Sequence, residues 1–407
     1  MAKIDYSSSG NDPKLGFYQI QNQIFYDKAS ALLYASKLNL SPSDLRWNFN
    51  DEFFNSYDWT IEPPGSIRDY YHIRARQIRD KYDYIILNFS GGSDSTTVLY
   101  SFIQQNLFID EVIVRNPTAA TKKYGTDRRN LSPFNEFSEF ELAAKPILKW
   151  LEKVSPKTKI TLHDYSLDIV SDDISWDENF FHWTGDYINF GCIVRYTHNN
   201  IYEHLKLFDK GKNIAILFGT DKPRVVYQNE DVNFYFIDRA VHSALPATVT
   251  KNWSNTNIEL FYWSPDLPEL IIKQCHLIKK WFEEPTNQNL SYIMDYWWHT
   301  SPVNRSSYEA CVKSIIYPDY NLKTWQVNKT VSSTINTEWD FWMKDYKNTV
   351  GYKTFMRGYD HLFNNVNKGF LMRDPSITIP GEDITSTTWE FKPCLSKFYY
   401  LGKFKKT

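Results

Sequence analysis

Residues 90–96 read Ser-Gly-Gly-Ser-Asp-Ser-Thr and follow the apolar run Tyr84-Ile85-Ile86-Leu87-Asn88-Phe89. A strand that ends in Ser-Gly-Gly and opens into a helix presents unpaired backbone N–H groups, and the positive end of a helix dipole, to an anion. Gly91 and Gly92 let the backbone approach anionic oxygens and take positive φ. The hydroxyls of Ser90, Ser95 and Thr96 add donors, and Ser93 lies in the same turn. The pattern is that of a pyrophosphate cradle. Asp94 in its middle repels phosphate unless a cation intervenes. Mg²⁺ between Asp94 and the phosphates resolves the conflict and neutralises charge developing on a leaving group.

A second constellation, Gly219-Thr220-Asp221-Lys222-Pro223-Arg224, follows the apolar run Asn213–Phe218. If both runs are strands of one parallel sheet, both loops emerge at its carboxyl edge, where ligands of open α/β folds bind. Asp221 then offers the metal a second carboxylate beside Asp94. Lys222 or Arg224 holds phosphate, or stabilises the charge of a pentavalent transition state. The competing reading is a charged β–α turn with a capping aspartate.

Other candidates are more ambiguous. Arg115 ends the second apolar run, and the loop beyond it carries Lys122, Lys123, Arg128 and Arg129. This basic cluster either clamps an anionic acceptor or nucleic-acid phosphate, or is a solvated loop. In Gly191-Cys192-Ile193-Val194-Arg195, Arg195 is a candidate phosphate ligand, and Cys192 is either a sulfur carrier or a buried structural cysteine. Lys273 lies two residues before Cys275-His276 and points either into the site or into solvent. Cys275 reads as core and His163 as a packing histidine.

The loop lacks the Gly-Lys-Ser/Thr ending of a Walker A motif. Following an apolar strand, S-G-G-S-D-S instead resembles the S-G-G-x-D-S signature of the N-type ATP pyrophosphatases, the PP-loop superfamily (adenine nucleotide alpha hydrolase-like). Ser90, Gly91, Gly92, Asp94 and Ser95 match it position by position, and the resemblance covers roughly residues 84–240. It implies a Rossmann-like sheet of HUP/PP-loop type, ATP as substrate with Mg²⁺, and cleavage between the α and β phosphates. The products are then AMP and pyrophosphate, with an acceptor activated as an adenylate. In character the chain is similar to the synthetase domain of asparagine synthases, a ligase forming an amide or C–N bond.

Absences narrow the choice within that superfamily. No C-x-x-C pair or cysteine-rich zinc motif is present, and 83 residues before the first core strand are too few for a glutaminase domain. Free ammonia, an amine or a separate donor subunit must then supply nitrogen. A sulfonucleotide reductase-like or nucleic acid-modifying enzyme is the alternative, supported by Cys192, Cys394 and the basic loop. A third reading is a non-catalytic nucleotide-binding or structural protein. The Asn/Tyr/Phe-rich composition also looks like that of phage-encoded PP-loop proteins, which implies host cytoplasm.

The elements that must position these residues are legible from periodicity. Residues 17–26 alternate like a strand, and Asp27–Leu38 follows with helical spacing. Pro63-Pro64-Gly65 breaks the chain before an amphipathic helix over Ser66–Lys81. Strand, glycine turn, helix and strand then succeed one another over 84–116. Further strands are expected at Lys159–His163 and Asn213–Phe218, with a helix over Phe140–Val154. Strands alternating with helices predict an α/β, doubly wound, mostly parallel sheet. A helix over Pro268–Glu284, a Trp/Tyr-rich helical region over 291–350 and a strand-like tail over Trp389–Phe404 complete the chain. The expected organisation is an N-terminal cap over 1–82, a nucleotide-binding domain over 83–245, and a mainly helical, aromatic-rich acceptor-side or oligomerisation region over 246–407.

With 407 residues, of which 42% are hydrophobic, the chain can bury a full α/β core. Its 46 basic and 48 acidic residues leave a net charge of −2, so no global field draws it to nucleic acid or an anionic membrane. The four cysteines, Cys192, Cys275, Cys311 and Cys394, are too dispersed for a disulfide framework. A polar N-terminus and the lack of a long apolar run predict a cytoplasmic protein. The aromatic side chains, 17% of the total, are expected to be core.

Overall fold

The computed structural model of the chain describes residues 13–26, 28–115, 118, 139–164, 210–238, 241, 256–296, 302–320, 361–373 and 389–406. It opens with β1 (Phe17–Ile20) and β2 (Gln23–Phe25), followed by α1 (Lys28–Lys37), β3 (Arg46–Asn48) and the single turn α2 (Asp51–Phe54). The stretch 17–26 is thus a hairpin, where its alternation predicts one strand. Gln21, with φ 52°, reverses the chain so that Ile20 pairs with Gln23. Alternation alone carries no information on where a left-handed residue will fold the strand back.

α3 (Ile67–Lys81) starts at a capping box: Ser66 accepts the Asp69 N–H, and Asp69 accepts the Ser66 N–H at 2.9 Å. Its buried side, Ile67, Tyr71, Arg74, Ala75 and Ile78, keeps a spacing of three and four residues. The core then runs through β4 (Tyr84–Asn88), α4 (Ser93–Ile103), β5 (Glu111–Arg115), α5 (Lys145–Val154), β6 (Lys159–His163) and β7 (Ile214–Phe218). Next come the hairpin strands β8 (Arg224–Gln228) and β9 (Asp231–Ile237), then β10 (Thr256–Leu260), α6 (Pro268–Glu283) and α7 (Pro302–Ile316). The short strands β11 (Leu371–Arg373) and β12 (Trp389–Phe391) and the long β13 (Leu395–Lys403) end the described chain.

The central sheet is five-stranded and all parallel, in the order β10-β7-β4-β5-β6, compatible with a Rossmann-like fold. All five residues of β7, Ile-Ala-Ile-Leu-Phe, are buried, as expected of a central parallel strand covered on both faces. Each fully buried Ile, Leu or Phe there is worth roughly 1.5–3 kcal/mol. α3 packs on both α4 and α6, and Tyr100 of α4 meets Trp150 of α5 edge to face at 5.2 Å.

The sheet takes its fifth strand, β10, from beyond residue 245, and the sequence reading did not foresee it. Thr-Asn-Ile-Glu-Leu is only weakly apolar, yet Glu259 is buried in it. Its carboxylate is met by Arg74 at 2.5 Å, by Lys81 at 2.9 Å and by the Tyr82 hydroxyl. The β8–β9 hairpin was likewise not foreseen; it turns at Asn229-Glu230, both with positive φ, the pairing geometry of a tight hairpin. The strand-like tail does form strands, and β13 pairs antiparallel with β9. Aromatic side chains fill the contact between these layers: Trp59 stacks on Tyr399 at 4.4 Å, and Phe236 lies 4.7 Å from Phe54. Among the described residues, no helix is long and apolar enough to cross a membrane.

Candidate active site at the sheet switch point

From β4 the strand order runs outward through β5 and β6, then returns to place β7 on the other side of β4. β4 and β7 therefore flank the topological switch point, the place at the carboxyl edge where ligands of open α/β sheets bind. The two strands end level, with Asn88 opposite Phe218. Gly219 then passes directly over the start of α4: a Cβ on it would lie 3.1 Å from the Asp94 carbonyl oxygen and 3.0 Å from Val98 Cγ2. A side chain here would push the two loops apart.

In the first loop, α4 begins at Ser93 with Gly92 as its N-cap, so its orphan N–H groups lie at the carboxyl edge of the sheet. Only one of the two glycines takes positive φ. Gly91 has φ 75°, whereas Gly92, at −70°, has a conformation any residue adopts. The close approach at Gly91 is to protein: its Cβ would sit 2.4 Å from the Ala144 nitrogen, in the π-helical segment Glu139–Ala144. Ser90 and Ser95 shape the turn. Ser90 Oγ accepts the Gly92 N–H at 3.3 Å, and Ser95 Oγ donates to the Gly92 carbonyl at 3.2 Å. The Thr96 N–H makes the first helical bond, to Gly92, at 3.0 Å.

Two hydroxyls stand apart from this scaffolding. Ser93 Oγ in the first loop and Thr220 Oγ1 in the second are both sealed from solvent and have no hydrogen-bond partner. Ser93 is 4% exposed. A buried hydroxyl left unpaired costs free energy, and here one lies in each of the two loops.

The charged groups converge on the same place. Lys222, 7% exposed, sets its ammonium 2.9 Å from Asp94 Oδ2, 3.1 Å from Asp94 Oδ1 and 3.5 Å from Asp221 Oδ1. Arg224 reaches Asp221 at 3.4 Å and Glu309 of α7 at 3.1 Å. Tyr317 donates to Asp94 Oδ1, and Tyr262 donates to the Asp94 carbonyl at 2.7 Å. Tyr308 ties α7 to the second loop, donating to the Pro223 carbonyl at 2.8 Å and accepting the Val225 N–H at 2.9 Å. Asp94 is thus a paired, half-buried group, not the exposed loop carboxylate a glycine-rich turn suggests.

These contacts set the protonation states. Burial works against the Asp94 charge, but Lys222, Lys313 and the Tyr317 hydroxyl outweigh it and hold the carboxyl below its ordinary value. Burial likewise opposes the Lys222 charge, and Asp94, Asp221 and Glu309 overcome it, so the ammonium is held more firmly than a free lysine's. Tyr317 is pushed well up by burial and by Asp94, so it stays a donor.

Among the described residues no cluster of three or more His, Cys, Asp or Glu could hold a metal ion. Asp94 and Asp221 nevertheless converge on one cation, the Lys222 ammonium. Two carboxylates on one cation are the donors a Mg²⁺ ion would use if phosphate oxygens and water completed its shell.

Lys273, His276, Cys275 and Cys394 are engaged outside the two loops. Lys273 commits its ammonium to Glu62 at 2.7 Å and to the Pro63 carbonyl at 3.1 Å, and to neither loop. Its neighbour His276 bonds the Trp59 carbonyl at 2.9 Å, and Cys275 is fully buried, its thiol pushed up by burial. His163 ends β6, buried, opposite Arg115 at the end of β5. Cys394 anchors a loop through its N–H to Asp238 at 3.0 Å. Cys192, Arg195 and the basic run with Lys122, Lys123, Arg128 and Arg129 lie outside the described residues. Residues the sequence reading missed are Tyr262, Tyr308, Glu309, Lys313 and Tyr317. The last three recur every four residues, a visible helical face, but nothing in the sequence ties that face to the loops.

Comparison with protein-family models, with curated proteins and with solved structures finds no match.

Proposed function

We propose that the crevice between the two loops binds ATP through its β and γ phosphates and that the protein is an AMP-forming synthetase of PP-loop type. The observation that carries this reading is the pair of sealed, unpartnered hydroxyls, Ser93 Oγ and Thr220 Oγ1, one on each side of the switch point. They flank the α4 N-terminus and lie in the same two loops whose carboxylates share Lys222. Donors at a helix N-terminus, two hydroxyls and a lysine suit a pyrophosphate group, and they leave the α phosphorus open to an in-line acceptor.

An acceptor oxygen attacks the α phosphorus, the bond to the bridging oxygen breaks, and the electron pair leaves with pyrophosphate. A nitrogen nucleophile then displaces AMP from the adenylate, losing its proton. In this sequence Ser93, Thr220 and the α4 N–H groups orient the leaving group, and Lys222 meets the charge it acquires. Asp94 and Asp221 would hold Mg²⁺, which supplies further charge neutralisation on the phosphates. Tyr262 and Tyr317 hold Asp94 in place.

The test is product analysis. Protein, Mg²⁺ and ATP are incubated with ammonia and panels of amino acids, nucleosides and transfer RNA. AMP and pyrophosphate in equal amounts support the proposal, whereas ADP and phosphate as main products contradict it.

A further inference from the structure

Glu309, Lys313 and Tyr317 lie at successive turns on one side of α7, and the Tyr317 N–H bonded to the Lys313 carbonyl at 3.1 Å continues the helix past Ile316. The two outer members fix where this side faces. Glu309 reaches Arg224 of the second loop at 3.1 Å, and Tyr317 reaches Asp94 of the first. Lys313, midway between them and 9% exposed, therefore lies on the side of α7 turned to the two loops. It adds to the field that keeps Asp94 ionised.

Three cations of the site act on its carboxylates. Arg224 bridges Asp221 and Glu309, which ties α7 to the second loop. Lys222 and Lys313 instead both act on Asp94, one from the second loop and one from α7. A pyrophosphate group entering at Ser93 and Thr220 carries several negative charges, and Lys222 sits on one wall only. An ammonium from α7 adds a second cation for that charge.

We infer that Lys313 is a second phosphate-contacting cation and that α7 forms the third wall of the nucleotide site. The inference rests on the ATP reading and extends it by a residue from outside the two loops. α7 then senses occupancy directly, because the same face carries the contacts to both loops.

Titration calorimetry with ATP, inorganic pyrophosphate and adenosine, each with Mg²⁺, tests this on wild type, Lys313→Met, Lys313→Gln and Lys313→Arg. Lys313→Met is expected to weaken ATP and pyrophosphate about tenfold or more while leaving adenosine unchanged, and Lys313→Arg to recover much of the loss. Lys313→Gln reports the same loss should the Met variant fail to fold. Unchanged pyrophosphate affinity in folded Met and Gln variants overturns the inference, as does an equal loss for adenosine, the mark of a structural role. A wild-type protein that binds neither ATP nor pyrophosphate overturns the ATP reading itself, and this inference with it.

Discussion

Lys222 and Asp94, 128 positions apart in the chain, are joined by two contacts of 2.9 and 3.1 Å between one ammonium and both oxygens of one carboxylate. The pair joins the two loops at the switch point, because each partner lies shortly after one of two adjacent parallel strands. Asp221 shares the same ammonium at 3.5 Å, so one cation holds both candidate metal-binding carboxylates together.

Lys222→Met removes that cation while keeping the length of the stem. Breaking a buried ion pair costs about 3–5 kcal/mol, but Asp94 keeps the Tyr317 hydroxyl and the field of Lys313, so the expected loss is about 2–3 kcal/mol. Urea unfolding of the two proteins measures it. A loss within the ~0–1 kcal/mol of an exposed pair would mean that water already screens the contact.

Acid sensitivity follows from the direction of the Asp94 shift. A carboxyl held below its ordinary value of 3.8 stabilises the fold fully above that value, and the contribution disappears as pH falls through the lower native one. Asp94→Asn should therefore be less stable at neutral pH and lose less on acidification below about pH 4. Glu259 and Asp319, also held low, keep part of the acid limb in the variant. Denaturation midpoints taken from pH 7 to pH 2 decide this, and an acid limb of unchanged steepness would show that Asp94 gains nothing from its partners.

The two glycines of the first loop should separate cleanly. Gly91→Ala meets a left-handed backbone, worth about 1–2 kcal/mol against a side chain, and a clash with the backbone at Ala144. Gly92→Ala meets no backbone penalty of this kind. Thermal unfolding is expected to fall by several degrees for Gly91→Ala and by much less for Gly92→Ala. Equal losses would indicate that the φ difference does not govern the loop.

The core strands β4 and β7 could be read from the chain because a covered parallel strand must be apolar on both faces, and runs such as Ile214–Phe218 leave little choice, whereas β5 and the half-exposed edge strand β6 show only as short β-branched runs. β10 could not be read this way: its burial depends on Arg74 neutralising Glu259, a partner 185 residues away. For the same reason the two loops were visible as candidates, but what surrounds them was not. Lys222 reads as a phosphate ligand and Asp94 as a metal ligand, and neither reading reveals that the two residues hold each other. Tyr262 and Tyr317 look like any other members of an aromatic-rich sequence until the fold brings them to Asp94. Lys273 shows the converse: its place beside an apolar helix face suggests a pocket, whereas Glu62 before α3 claims its charge.

The central claim is that the crevice holds the pyrophosphate end of ATP. Titration of Mg²⁺-ATP into the wild-type chain, with inorganic pyrophosphate as competitor and Lys222→Met alongside, tests it most directly. The expected result is one ATP bound per chain, displaced by pyrophosphate and weakened at least tenfold in Lys222→Met, the loss of about 1.4 kcal/mol of binding free energy. Saturable ATP binding that neither pyrophosphate nor the Lys222 substitution disturbs, or no saturable binding at all, would contradict it.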